Sequence, residues 1–364
     1  MTSENESALR VNSGCQAPEP PELTVRRGKA RRPLAHRQYV DGIVGGNRVL
    51  LAQAITLIES TRAEDRDLAE RIVEDCLPHG GNSIRVGITG VPGAGKSTMI
   101  EALGTSLICS RGQELAVLAI DPSSQLSGGS ILGDKTRMTS LAASEMAFIR
   151  PSPSRGIAGG VAQHTREAML LCEAAGFENI LVETVGVGQS ETSVHAMVDF
   201  FLLIALAGAG DELQGIKRGV MELADLVVIN KADGANLHAA ERARAEVQNA
   251  LHYFPGSLSG WTPRALTCSA LTGRGVSEVW DSVLEHRALT KANGWLSRTR
   301  QEQAQKWMHE IIEQGLRQSF ESNAEIRGRL EVLEQDVRDG RTTSFRAARE
   351  LLEMYSHGHP PGNA

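Results

Sequence analysis

An α/β fold, with a predominantly parallel sheet covered by helices and further helical extensions at both ends, is predicted by three features of this 364-residue chain. Short continuous apolar runs, such as Phe200 to Leu206 and Leu226 to Ile229, have the length and composition of strands buried on both faces. These runs alternate with segments of helical period, the order in which parallel sheets are built. The glycine-rich run Gly90-Val91-Pro92-Gly93-Ala94-Gly95-Lys96-Ser97 lies between one such strand and one such helix, the setting of a P-loop.

Each element has its own signal. Ile84, Val86 and Ile88 alternate as a strand over 84–88, and Ser97 to Leu107 continues as the helix after the loop. The core then reads as strands over 115–120 and 146–149, a helix over 165–175, strands over 180–184 and 199–206, a helix over 216–224 and a strand over 226–230. A strand over 265–268 and a helix over 275–287 complete it, so residues 81–290 form a nucleotide-binding domain. Residues 1–37 are rich in Glu and Pro, then basic at Arg26-Arg27 and Lys29 to Arg32, and read as a disordered tail. Between 38 and 80, Leu50, Leu51, Ala54, Ile55 and Ile58, then Leu68, Ile72, Val73 and Cys76, are spaced for two helices packed across the core. Residues 291–358 form a charged helical arm before a flexible tail at 359–364. Trp307, Ile311, Ile312 and Leu316, then Ile326, Leu330, Leu333 and Val337, then Leu351 and Leu352, make an apolar stripe. Either a partner subunit covers that stripe or the helices fold back onto their own core.

Composition narrows the function classes. The chain is 41% hydrophobic and 23% charged, with net charge −6 and pI near 6.0, which gives no electrostatic reason to bind nucleic acid or an anionic membrane. Five scattered cysteines without a Cys-x-x-Cys pair fit reduced thiols and a cytoplasmic setting. No apolar run reaches membrane-spanning length, and the first residues lack the apolar segment of a secretory signal.

The chemistry follows from four motifs. Backbone N–H groups of Gly93, Ala94 and Gly95 and the positive end of the following helix suit the phosphates of a nucleotide, with Lys96 as a point charge toward the β- and γ-phosphates. Ser97 offers one oxygen to an octahedral Mg2+, and Thr98 suits the α-phosphate. Asn230-Lys231-Ala232-Asp233 ends an apolar strand, where the Asp233 carboxylate can accept from guanine N1–H and the exocyclic amine; adenine offers neither donor in that arrangement. Lys231 can cover a purine face, Asn230 can tie this segment to the phosphate loop, and Ser269, Ala270 and Leu271 lie in a guanine-supporting loop. The ligand is therefore GTP or GDP rather than ATP. Asp121 and Glu183, at the ends of two strands, are candidates to hold Mg2+ or its waters, although an Asp-Pro turn cap and a solvated strand terminus are the respective alternatives. Gly186 is placed to donate its N–H to the γ-phosphate.

These motifs, together with Asp121-Pro122-Ser123-Ser124, the run from Gly128 to Met138 and the run from Glu183 to Glu191, resemble the methylmalonyl-CoA mutase-associated GTPase chaperones, the MeaB/ArgK-like family, over roughly residues 38 to 355. The resemblance implies a signal-recognition-particle-like G domain, a homodimer joined through the C-terminal arm, and a client mutase that itself carries adenosylcobalamin. Cobalamin adenosyltransferase is a further candidate partner. It also implies that Gly128 to Met138 is a nucleotide-responsive switch with Asp134 near the magnesium site, and that Gly210 to Gly219 is a second switch. Lys217 in that second run either stabilises developing charge or restrains the switch. Val187 follows Gly186 where Ras-like enzymes carry glutamine, so intrinsic hydrolysis is expected to be slow and accelerated by the target. Gln189, Asp134 and a partner side chain are all open as the group that orients the water. Lys96, Asp134, Glu183, Gly186 and Lys217 are thus the candidate catalytic set, and Ser97, Asp121, Asp134 and Glu183 the candidate metal ligands. Two alternatives stand beside this reading: a GTP-dependent scaffold with incidental hydrolysis, and a nickel-insertion GTPase, which would need a His/Cys cluster near the switches.

Overall fold

A computed structural model of the chain describes residues 34–121, 138–153, 160–184, 190–208, 218–254 and 256–358. Within them, seven strands form one wholly parallel sheet: β1 (Ile84–Gly90), β2 (Leu115–Asp121), β3 (Ala147–Pro153), β4 (Asn179–Thr184), β5 (Phe200–Leu206), β6 (Leu226–Asn230) and β7 (Arg264–Thr267), in the order β3-β2-β4-β1-β5-β6-β7. Strand β3 runs four residues beyond its predicted end and contains Pro151 and Pro153. It is an edge strand, and two prolines two residues apart direct their missing N–H groups to the same, unpaired side, so no ladder bond is lost.

The period-two geometry of the strands sends alternate residues to two apolar layers. From β5, Phe201, Leu203 and Ala205 join α6 (Gly160–Ala174), α7 (Ser190–His195), α9 (Leu237–Leu251) and the N-terminal helices. Phe200, Leu202 and Ile204 enter the opposite layer with α4 (Lys96–Arg111) and α10 (Val276–Ala292). Two short helices, α5 (Thr139–Ala143) and α8 (Arg218–Glu222), complete this domain among the described residues. Helix α4 is longer than predicted and stops at Gly112, whose φ of 62° suits glycine at a helix end.

The N-terminal segment forms three helices rather than two: α1 (His36–Val44), α2 (Arg48–Ile58) and α3 (Ala63–Cys76). Helix α1 buries only Tyr39 and Ile43, four residues apart, which is too sparse a stripe to stand out in the sequence. Arg48 donates to the Ala147 carbonyl at 2.7 Å, and Arg150 on β3 pairs with Glu59 at the end of α2, so these helices clamp the sheet edge.

The C-terminal arm consists of α11 (Trp295–Ser322), α12 (Ala324–Arg338) and α13 (Ser344–Gly358). Ile326, Leu333, Ala347 and Leu351 form a small core of their own, with Phe320, Leu330, Val337 and Tyr355 packed against it. The arm is anchored at the start of α11. Arg300 donates to both Asp199 oxygens, at 2.8 and 2.6 Å, and to the carbonyls of Gly81 and Ser83. Arg85 of β1 holds Glu173 of α6 through two bonds of 2.8 and 2.9 Å beside this anchor. Burial alone would push the Glu173 carboxyl up, but the bonds and charge of Arg85, with Ser83 and Arg300, outweigh it and hold the group below the ordinary carboxylate range. Met308, Ile311, Ile312, Leu316, Phe345 and Leu352 remain exposed on the arm.

Candidate functional site

Parallel pairing brings the carboxyl ends of all seven strands to one edge. Register places Gly90 of β1 beside Ile204 of β5, and Leu206 of β5 beside Asn230 of β6. Glu183 of β4 lies beside Ile88 on one side and Ala119 on the other. The strand order departs from sequence order around β1, between β4 and β5, and this is the crevice where ligands of open α/β sheets bind.

The phosphate loop is closed by backbone geometry that side chains would obstruct. A Cβ on Gly90 would meet the Ile204 carbonyl oxygen at 2.2 Å, and one on Gly95, at φ 88°, would lie 2.7 Å from Asn230 Nδ2. Gly93 also has positive φ, at 80°, with open space where a Cβ would stand. This leaves a concave run of backbone at the start of α4, as an anion cradle requires. Lys96 is buried, and its Nζ donates to the carbonyl of Gly90 at 2.7 Å and of Val91 at 3.4 Å, so its charge sits across the loop. Thr98, on the first turn of α4, is exposed.

Ser97 Oγ donates to Glu183 Oε1 at 3.0 Å. The two sequence-predicted oxygen ligands are therefore adjacent, and hard oxygens beside a phosphate cradle suit Mg2+. Asp121 closes β2, but its side chain lies outside the described residues, as do Asp134, Gly186, Gln189 and Lys217. Beneath the crevice, the buried hydroxyls of Thr184 and Thr89 bond at 2.8 Å, linking the ends of β4 and β1. Glu101, one turn beyond Ser97 on α4, accepts from the N–H groups of Ser140 and Leu141 at 2.7 and 3.3 Å.

At the base end, Asn230 joins the two loops. Its amide donates to the Ala94 carbonyl at 2.8 Å and its oxygen accepts from Ala270 N–H at 3.1 Å. Ala232 N–H donates to the Cys268 carbonyl at 2.9 Å. Burial, then the charge of Glu278, pushes the Cys268 thiol up to about 12, so it stays protonated. Ser269 Oγ donates to Asp233, holding the carboxylate, and also accepts from Thr272 N–H at 3.2 Å. Lys231 and Leu271 are exposed beside it, apolar stem and side chain available to a planar base. Sequence reasoning named every member of this constellation except Asn236, whose amide donates to the Lys231 carbonyl at 2.8 Å. The signal available in the sequence was an Asn six residues after the motif's own Asn230; helix α9, which it precedes, is not among the elements the sequence predicts.

A parallel sheet with this loop after β1, the Asn-Lys-Ala-Asp run after β6 and the Ser-Ala loop after β7 defines a P-loop GTPase, an enzyme that hydrolyses GTP. Comparisons with known proteins agree and go further. The chain belongs to the family described as methylmalonyl Co-A mutase-associated GTPase MeaB, whose model matches residues 51–325. It is 51% identical over 269 residues to GTPase ArgK of Escherichia coli strain K12, covering 74% of this chain and 81% of that protein. It is 44% identical over 337 residues to the mitochondrial methylmalonic aciduria type A homolog of Mus musculus, covering 89% of this chain and 81% of that protein. The crystal structure of a protein titled LAO/AO transport system kinase superposes with a TM-score of 0.72 at 38% identity, covering 90% of this chain and 99% of that one. Family membership carries GTP or GDP and Mg2+ as ligands, and the cradle and oxygen pair described above fit both.

Among the described residues, no group of three or more His, Cys, Asp or Glu side chains could hold a metal ion, so the cluster that a nickel-insertion role needs is not among them. Among the same residues, no helix is long and apolar enough to cross a membrane.

Proposed function

We propose that this GTPase acts in the cytoplasm as a homodimeric chaperone of an adenosylcobalamin-dependent methylmalonyl-CoA mutase. GTP binding favours one docking surface and hydrolysis another, so that the nucleotide gates cofactor loading and protects or reactivates the client. The match to a mutase-associated GTPase family over residues 51–325, with the phosphate and guanine sites intact, is the observation that carries this reading. The exposed apolar residues of the arm, Phe345 and Leu352 among them, are the surface offered to a second copy. Cobalamin adenosyltransferase, as a source of intact cofactor, is a further partner in this scheme.

In the reaction, the backbone of Gly93 to Gly95 and the Lys96 ammonium bind and orient the phosphates, and the base loop fixes the guanine. Ser97, with Glu183, Asp121 and Asp134, would hold Mg2+ directly or through its waters. Mg2+ held there would supply positive charge to offset that on the phosphates. Gly186 N–H is assigned to the γ-phosphate, and Lys217 to the second switch, on sequence alone. With no glutamine after Gly186, the client is expected to supply or align the group that orients the attacking water.

The test is hydrolysis of GTP and ATP by the purified protein, alone and with holo-mutase, with complex formation followed in the same samples. GTP-selective turnover accelerated by the mutase supports gating. Nucleotide-dependent binding without acceleration instead means a scaffold, and no binding removes the mutase as client.

A further inference from the structure

Lys231 has φ 58°, the one non-glycine residue in the left-handed region among the described residues. A lysine gains nothing there by itself, since its Cβ crowds the backbone, and such a conformation persists only where neighbours impose it. It lies inside the base-reading run, two residues before the carboxylate of Asp233. Three of the four residues of that run are fixed by contacts already described: Asn230 to both loops, Ala232 to the Cys268 carbonyl and Asp233 to Ser269. The fourth, Lys231, is fixed by Asn236, whose Nδ2 donates to its carbonyl at 2.8 Å.

Asn236 stands at the N-cap position of α9, immediately before Leu237. An asparagine there ordinarily turns its side-chain oxygen toward the first free N–H groups of the helix. This one makes no such cap bond, and reaches back five residues instead. Its own N–H donates to the Asp233 carbonyl at 3.0 Å, closing the short 3-10 turn Gly234–Asn236 that joins the motif to the helix. Side chain and backbone of one residue thus hold the two carbonyls on either side of Ala232, and the direction of the Asp233 carboxylate depends on both.

We propose that Asn236 is a specificity-determining positioning residue of the GTPase reaction: by pinning Lys231 in its left-handed conformation it aims the Asp233 carboxylate at the two guanine donors. The inference rests on the GTP-binding role and is independent of any client protein.

Two substitutions separate this from a helix-capping role. Asn236→Ala removes the donor to the Lys231 carbonyl and leaves α9 without a side chain that could cap it. Asn236→Asp keeps the size and improves the cap, because a carboxylate at a helix start accepts N–H groups and suits the dipole, but it turns an oxygen toward the Lys231 carbonyl. The readout is the Kd of GDP and of IDP, which lacks the exocyclic amine and so presents one donor instead of two to Asp233. Both variants are expected to bind GDP about tenfold more weakly, as loss of one hydrogen bond and release of a strained residue imply. IDP should weaken by only about threefold or less, because one of the two bonds at stake is already missing. The preference for GDP over IDP then narrows in both. An Asp variant that matches wild type means Asn236 only caps α9 and overturns the proposal. So does an equal loss for GDP and IDP, which means a general loosening of the loop. Wild-type protein that fails to prefer GDP over ADP in the same titration would instead overturn the guanine-specific reading of the site.

Discussion

Replacing Asn230 with Ala removes the only side chain described as bonding both the phosphate loop and the base loop. The Ala94 carbonyl loses a donor at 2.8 Å and the Ala270 N–H loses an acceptor at 3.1 Å, and both residues are buried, Ala94 at 0% and Ala270 at 8% exposure. A buried backbone group left without its partner costs about 1–3 kcal/mol, so the two together amount to about 2–6 kcal/mol. In the nucleotide-free protein the loops can relax toward water and recover part of that cost. Bound GDP requires both loops in register, so about half the total is expected to fall on binding, a roughly 5- to 150-fold rise in Kd. Displacement of a fluorescent GDP analogue measures this directly, with thermal unfolding of the free protein in parallel. Asn230→Asp is a useful companion, because it keeps the acceptor for Ala270 but sets an oxygen against the Ala94 carbonyl, and it should bind no better than the Ala variant. A Kd for GDP within about threefold of wild type in Asn230→Ala would refute the reasoning, since measured costs of this kind are rarely so small.

Gly95→Ala is expected to weaken GDP by at least about tenfold, from a φ of 88° that alanine tolerates poorly and a Cβ placed 2.7 Å from Asn230 Nδ2; unchanged GDP titrations would contradict it. Ser97→Ala should abolish most of the gain in GDP affinity that Mg2+ confers, while Mg2+-free affinity stays within about threefold; equal Mg2+ dependence in both proteins would remove Ser97 from the metal site. Asp233→Asn exchanges an acceptor for an amide donor, so kcat/KM for GTP should fall while that for XTP, which offers a carbonyl in place of the amine, rises; a parallel fall for both counts against the assigned role. Glu173, held below the ordinary carboxylate range, contributes stability that is present above its unfolded pKa and lost as pH falls through its lower folded value. In Glu173→Gln the melting temperature should therefore drop at pH 7 and converge on wild type in acid; a pH-independent difference would show that packing, not charge, is responsible.

Legibility in the sequence tracked distance along the chain. The phosphate loop and the Asn-Lys-Ala-Asp run are each complete within eight residues and lie between strongly apolar segments, so composition and spacing sufficed. The adjacency of Ser97 and Glu183 follows from parallel pairing of β1 and β4, which strand-end position anticipates. The order of strands does not follow from their order in the chain, and neither does the Arg300 anchor, whose partners Gly81 and Ser83 lie 219 and 217 residues away. Strand β3 continues through Pro151 and Pro153, beyond the predicted 146–149, which its edge position in the sheet permits. Asn236 was hidden for a different reason, since the helix it precedes was itself not predicted and its side chain turns back to Lys231 instead of capping that helix.

The Arg300 anchor and the nucleotide crevice occupy opposite edges of the sheet. Arg85, which carries the anchor's neighbouring ion pair, is five residues before Gly90 on β1, a span of about 17 Å at strand rise. A strand buried on both faces and paired on both sides behaves as a stiff spacer, so the anchor stands a full strand length from the phosphates, while Arg166 of α6, bonded to Glu310 of α11 at 2.6 Å, makes a second tie between arm and body. The Arg300 grip thus holds the arm from the end of the sheet remote from the nucleotide loops, so the residues that fasten the arm and those that cradle the phosphates are separate sets.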